Sequence, residues 1–119
     1  MISTRQINAA AKRLGLPVNP PAVRCAYEWL DAQKRTKNPR ASFRPQKHII
    51  ESWAGYYVST DDVVVAANLH PDIFGEYPRF NLSARMVVPR RERLAGIPEA
   101  GTHPNYFGRY REGVYKVVE

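Results

Sequence analysis

The sequence predicts an α+β fold in which three to four N-terminal helices precede a small antiparallel sheet. In the first 70 residues, apolar side chains recur at helical spacing between helix start and stop signals. Two later segments, 80–88 and 106–118, have the patterns of strands. Helices followed by antiparallel strands are typical of the α+β class. The 119 residues fit a single domain, with a mainly helical basic half (1–70) and a mainly β half (71–119).

The first helix is predicted over residues 3–14. Ser3 is a favourable cap, and Gln6 three residues later completes the pattern of a capping box. Gly15 supplies the left-handed stop. The apolar residues between these signals fall on one face of the helix: Ile7, Ala10, Ala11 and Leu14.

A second helix is predicted from Asn19 to about Arg35. Asn is a favourable cap, and the Pro20-Pro21 pair is tolerated in the first turn of a helix. Lys34 and Arg35 would then lie in the last turn, where cations complement the helix dipole.

A third, short helix is predicted over about 45–54, capped by Ser42 and stopped by Gly55. The following segment, 56–70, permits two interpretations. Ser59 followed by acidic residues favours a helix, which is the preferred prediction, whereas the three valines at 63–65 favour a hairpin.

The strands are predicted in the second half. Residues 80–88 alternate in period two until Pro89, which indicates one continuous strand. Residues 106–118 are predicted to form a hairpin that turns at Glu112-Gly113. An unpaired edge of that hairpin suggests a homodimer as a further expectation.

The net charge of +7 is concentrated at the N-terminus. Ten of the eighteen Lys and Arg residues lie in the first 48 residues, which contain only two acids, Glu28 and Asp31. Like charges that are kept together repel one another and destabilise a compact state, so this segregation favours a polyanionic partner. The sequence therefore predicts DNA or RNA as the partner, bound through its phosphate backbone.

The predicted nucleic-acid-binding residues come from three basic segments. The densest is 34–47, where six cations occupy fourteen positions. A solvated basic face and contact with an acidic protein are the alternatives. The full set is Lys12, Arg13, Lys34, Arg35, Lys37, Arg40, Arg44, Lys47, Arg90, Arg91 and Arg93. Arg79 and Arg85 are candidates to extend the same surface.

The first two helices resemble a helix-turn-helix. The resemblance covers residues 3–30 and rests on Ile7, Ala10-Ala11 and Leu14-Gly15-Leu16, with a turn two residues longer than in that family. Together with the later strands, it implies a winged-helix-like, DNA-binding domain whose second helix enters the major groove.

Aromatic residues beside the basic segment are candidates for stacking on unpaired bases. Phe43 is the best candidate, because it lies in a polar setting, and the other three are Trp53, Tyr56 and Tyr57.

Catalytic motifs are absent from the sequence. His48 with Glu51, and His70 with Asp72, have no recognised metal-ligand spacing, and the glycines match no nucleotide-binding motif. We therefore expect no enzyme activity, no metal and no cofactor, with a small metal-dependent nuclease as a remote alternative.

The sequence thus predicts a non-enzymatic, nucleic-acid-binding accessory or regulatory protein. The main alternative is a small phage or mobile-element inhibitor, anti-CRISPR-like in its action, that works by protein–protein contact. Cys25 is the single cysteine and is expected to be a buried core residue, which suits a reducing cytoplasm. No apolar run is long enough for a membrane helix, so no membrane partner is expected.

Overall fold

A computed structural model describes residues 1–39, 46–102 and 114–119. The described residues contain four α-helices, which are α1 (Thr4–Leu14), α2 (Pro20–Asp31), α3 (Gln46–Ala54) and α4 (Thr60–Leu69). They are followed by short strands: β1 (Gly75–Glu76), β2 (Arg79–Phe80), β3 (Val87–Val88) and β4 (Val117–Val118), with a 3-10 helix at Arg91–Leu94. Strands β1 and β2 pair antiparallel, whereas β3 and β4 pair in parallel. The α+β class is thereby confirmed.

Helix α1 begins and ends at its predicted signals. Ser3 and Gln6 form both hydrogen bonds of a capping box, and Gly15 ends the helix with a φ of 70°. The predicted apolar face is correct except at its end, because Leu14 is 37% exposed.

Helix α2 lies at the centre of the molecule. The Asn19 backbone N–H donates to Asp62 Oδ1 (2.9 Å) at the N-terminal end of α4, and Asp31 Oδ1 lies 2.7 Å from His70 Nε2 just after that helix. The two helices therefore run in the same direction, side by side. Every residue of α2 is at least partly buried, and the helix contributes six residues to the core. Cys25 is fully buried on it, as predicted, and burial raises the pKa of its thiol to about 12.

The prediction that α2 continues to Arg35 is wrong, since the helix ends at Asp31. Gln33 explains the early end. Its buried side chain donates to the Trp29 and Val87 carbonyls (3.1 and 2.8 Å) and accepts from the Val87 N–H (2.9 Å). The residues that follow then pair with a distant segment of the chain and do not continue the helix.

Helix α4 confirms the preferred interpretation of residues 56–70, and the alternative hairpin is wrong. Ser59 and Asp62 form a capping box, and the buried Asp62 carboxylate also accepts from Asn19. Val63 and Val65 are fully buried in the core, which contains residues from both halves of the chain. Helix α3 is confirmed with Gly55 as its stop (φ 61°), whereas its predicted cap, Ser42, lies outside the described residues.

The predicted continuous strand over 80–88 is wrong. Strand β2 ends at Phe80, a single bridge follows at Leu82, and a bend separates this bridge from β3. At this bend the Ser83 hydroxyl oxygen accepts from the Arg85 N–H (3.2 Å). Of the predicted hairpin, residues 106–113 lie outside the described ranges. Strand β4 pairs in parallel with β3.

None of the helices in the described residues has the length and apolar character needed to span a bilayer.

Candidate nucleic-acid interface

A short ladder joins the basic segment after α2 to the segment after β2. The Ser83 N–H donates to the Lys34 carbonyl (2.8 Å), and the Thr36 N–H donates to the Asn81 carbonyl (2.8 Å). Between them, Arg35 and Leu82 form an antiparallel bridge. The ladder therefore brings together two stretches of chain that are far apart in the sequence.

Four exposed cations flank this ladder, and we call them the ladder patch: Lys34, Lys37, Arg79 and Arg85. Lys34 and Arg85 are linked through Ser83, which bonds to the backbone of both. Lys37 follows Thr36, and Arg79 precedes Asn81 by two residues, on the other side of the ladder. Within the described part of the chain, none of the four forms an ion pair with a carboxylate.

Asn81 fixes the ladder in place. Its side-chain oxygen accepts from the Phe74 N–H (2.8 Å), and its amide nitrogen donates to the Asp72 and Thr36 carbonyls (2.9 and 3.4 Å). The side chain is thus buried (2% exposed) between two loops. Asn81 falls at a polar position of the alternating pattern over 80–88, so the pattern predicts that its side chain faces solvent. No signal in the sequence reveals its buried role.

The basic segment 34–47 is held at both of its ends. Its first residues form the ladder, and its last, Lys47, has a backbone N–H 3.4 Å from the Tyr77 hydroxyl. Arg40 and Arg44 lie between these anchors and outside the described residues. Both anchors belong to the stretch 77–83, so the basic segment begins and ends on the same part of the molecule.

Lys47 itself is already engaged in the fold. Its Nζ atom lies 3.2 Å from Glu51 Oε1, 3.5 Å from the Val58 carbonyl and 5.2 Å from the centre of the Tyr57 ring. The side chain is only 20% exposed, and Glu51 is buried. Lys47 therefore ties α3 to the residues that follow it, and its charge is compensated within the protein.

Arg93 is surrounded by carboxylates. Its guanidinium group contacts Glu28 Oε1 (3.1 Å), Asp31 Oδ2 (3.0 Å) and Glu119 Oε2 (2.5 Å), and its side chain is 19% exposed. We call these four residues the Arg93 cluster. The carboxylates raise the pKa of the Arg93 guanidinium, with the hydrogen bonds to Glu119 as the largest cause.

The carboxylates of the Arg93 cluster respond in turn. Hydrogen bonds from Arg93 lower the pKa of Glu119. Burial opposes the ionisation of Asp31, but hydrogen bonds from His70 and Arg93 outweigh it, so the pKa of Asp31 is also lowered. Both carboxylates are held in the charged form by their partners. The positive charge of Arg93 is therefore compensated by carboxylates of the protein itself.

Arg90 and Arg91 lie next to this cluster. The Arg90 N–H donates to Glu119 Oε1 (2.7 Å), while its exposed guanidinium group remains 3.9 Å from the same atom. Arg91 donates to the Trp53 carbonyl and lies 5.8 Å from the centre of the Trp53 ring. The second basic segment is thus attached to Glu119 and α3, whereas Arg85 joins the ladder patch.

Lys12 and Arg13 are exposed on α1. Arg13 Nη2 donates to Asn68 Oδ1 (2.5 Å), and Arg35 Nη2 lies 2.8 Å from His70 Nε2. Arg13 and Arg35 therefore meet the same end of α4, its C-terminus, where cations complement the helix dipole. Arg35 also pairs with Asp31 (3.2 Å), which compensates its charge.

The aromatic stacking candidates differ in their exposure. Trp53 is buried and donates to the Pro89 carbonyl (3.1 Å), so it cannot stack on a base. Tyr56 is half-buried with its hydroxyl accepting from Asn19 (2.8 Å), and Tyr57 is 48% exposed. Phe43 lies outside the described residues.

The catalytic candidates do not converge. His70 is buried, its Nδ1 accepts from the Asp72 N–H (3.1 Å), and its Nε2 faces Asp31 and Arg35, so both ring nitrogens are occupied. His48 is exposed, and its Nδ1 atom lies 3.4 Å from Glu51 Oε2. Across residues 1–39, 46–102 and 114–119, no three His, Cys, Asp or Glu side chains are grouped so as to hold a metal ion.

No protein-family model, curated protein or solved structure matches this chain. What the protein binds must therefore be inferred from its own side chains, and the resemblance to a helix-turn-helix stays a prediction.

Proposed function

We propose that this protein is a nucleic-acid-binding accessory or regulatory factor that contacts the phosphate backbone through the ladder patch. The observation that carries the proposal is the ladder itself. It is flanked by exposed cations from two distant stretches of the chain, and these cations have no carboxylate partner among the described residues. Such cations bind phosphates by Coulomb attraction and by release of counterions.

The basic segment 34–47 contains two further candidate cations, Arg40 and Arg44. The described residues at the two ends of the segment are anchored on residues 77–83. Arginine can also hold a phosphate through two parallel hydrogen bonds. The sequence thus offers Arg40 and Arg44 as candidate phosphate contacts in addition to the four cations of the ladder patch.

The proposed interface makes no use of α2 as a recognition helix. A helix that reads the major groove must present side chains to base edges, and every residue of α2 is at least partly buried in this fold. Contacts to phosphate position a protein but carry no sequence information directly. We therefore expect binding with little sequence preference.

The test is a low-salt binding titration with labelled single- and double-stranded DNA and RNA. The double variant Lys34→Glu with Arg85→Glu should weaken binding at least about tenfold, because phosphate contacts dominate affinity. The matched control is Arg5→Glu with Lys116→Glu, which makes the same change in net charge at exposed positions outside the patch. An equal loss in both pairs would show that only net charge matters, and a parent protein that binds none of the four ligands would refute the proposal.

A further inference from the structure

An apolar groove lies along one face of α4. Thr60, Val64, Ala67 and Asn68 are spaced so that they share that face, and Ile73 with the β1–β2 hairpin forms the opposite wall. The groove has a volume of about 560 Å³. From Thr60 to Asn68 it extends roughly 12 Å along the helix, at the usual rise per residue. We call it the α4 groove.

Two large apolar side chains stand exposed at this groove. Phe74 is 50% exposed and Leu14 is 37% exposed, and both belong to its lining. The Phe74 backbone is fixed on both sides by Asn81, which accepts from its N–H (2.8 Å) and donates to its carbonyl (3.1 Å). The ring is therefore presented by a rigid backbone. Rigid aromatic side chains beside a pocket are typical of the centre of a protein interface.

The groove carries opposite charges. Glu76 lines it, is exposed, and forms no ion pair with any cation of the described residues. Arg13 bonds to Asn68, another lining residue, through a neutral acceptor, so its charge remains uncompensated by the described carboxylates. One surface therefore presents a protruding ring, a cavity, an anion and a cation.

We propose that a second copy of this chain covers the α4 groove, so that the protein forms a two-fold symmetric dimer there. A two-fold interface needs a surface that complements itself. Phe74 of each copy enters the groove of the other, and Arg13 of each copy meets the other's Glu76. This interface differs from the strand pairing at 106–118 that the sequence suggests, and it does not depend on nucleic-acid binding.

The first test is sedimentation analysis of the full chain from micromolar to hundreds of micromolar concentration. The mass should rise from 13.6 kDa towards twice that value. Phe74→Ser should raise the dissociation constant at least about thirtyfold, the size of a central hot-spot loss of about 2 kcal/mol. Val118→Ser is the matched control, because Val118 is 83% exposed but lies outside the groove, and it should leave association unchanged.

The second test exchanges the charges. Glu76→Arg and Arg13→Glu should each weaken the dimer, because like charges then face one another across the interface. The double variant should restore association towards the parent level, which a misfolded protein would not do. A parent that stays monomeric at every concentration would overturn the proposal and point to a different protein as the occupant. A dimer that neither Phe74→Ser nor the charge exchange affects would place the interface elsewhere and overturn it equally.

Discussion

The ladder patch and the Arg93 cluster are built from the same kinds of residue but end in opposite electrostatic states. At the ladder patch, cations from two segments gather in solvent with no carboxylate within ion-pair distance among the described residues. In the Arg93 cluster, one guanidinium group is surrounded by three carboxylates and largely buried. Charged groups in solvent are free to bind a ligand, whereas charges compensated internally stabilise the fold.

This difference divides the eleven cations that the sequence marks for nucleic acid. Arg93, Arg35 and Lys47 are each paired with a carboxylate of the protein, and their pairing explains why part of the basic segment does not contribute to an open surface. Lys34 and Lys37 remain available. Arg85, a candidate to extend the surface, lies beside the ladder, where its N–H donates to the Ser83 hydroxyl oxygen.

The largest expected effect comes from removing the centre of the Arg93 cluster. Arg93→Ala leaves Glu28, Asp31 and Glu119 facing one another without their shared cation, so we expect a loss of about 3 kcal/mol in the free energy of unfolding. Urea unfolding followed by circular dichroism measures it. Arg93→Lys is the control, since it keeps the charge but loses the planar guanidinium group. Its free energy of unfolding should lie between those of the parent and of Arg93→Ala.

A loss below about 0.5 kcal/mol for Arg93→Ala would contradict the comparison. It would mean that the cluster contributes no more than an ordinary surface contact, and the distinction between compensated and open cations would lose its energetic meaning.

Acid provides a second and smaller way to break the same cluster. The pKa values of Asp31 and Glu119 are lower in the folded protein than their usual values, so the unfolded chain binds protons first as the pH falls. The stability that these groups contribute is present at neutral pH and is lost below roughly pH 5. The urea concentration at the midpoint of unfolding should therefore decrease as the pH is lowered from 6 to roughly 3.

The Arg93→Ala variant is the control for this pH dependence. Without the guanidinium group, the pKa values of both carboxylates return towards their usual range, so the variant should lose less stability in acid than the parent does. If both proteins show the same decline, other groups control the acid response.

Local signals explain why the helices were predictable and the ladder was not. The sequence predicts the capping box of Ser3 with Gln6, and it predicts Ser59 as a cap followed by acidic residues; both caps form, the second also as a capping box with Asp62. A capping box needs only neighbouring residues, so its pattern is visible in the chain. Helices α1 and α4 follow from such signals, whereas the Asn19 side chain forms no cap hydrogen bond at the start of α2.

The ladder instead depends on contacts between distant residues. The buried amide of Gln33 bonds to Val87, and that of Asn81 bonds to Thr36 and Asp72, which ends α2 early and breaks the strand predicted over 80–88. An amide at a polar position has the same sequence pattern whether it is solvated or buried. Which cations lie open to a ligand was therefore fixed by tertiary pairing, and composition alone could not reveal it.

The smallest expected effect on stability belongs to the ladder patch, whose cations should contribute to binding and not to the stability of the fold. Lys37 is exposed and its side chain forms no hydrogen bond or ion pair with the described residues, so Lys37→Ala should change the free energy of unfolding by less than about 0.5 kcal/mol. Its effect should appear in binding. Each phosphate contact contributes about −0.9 to the slope of log affinity against log salt on duplex DNA, so the slope should become less negative by roughly that amount.

Arg5→Ala, the control at an exposed cation on α1, should leave the slope unchanged. A slope that is the same for Lys37→Ala and for the parent would remove Lys37 from the interface, and a loss of stability would show that this cation belongs, like Arg93, to the fold.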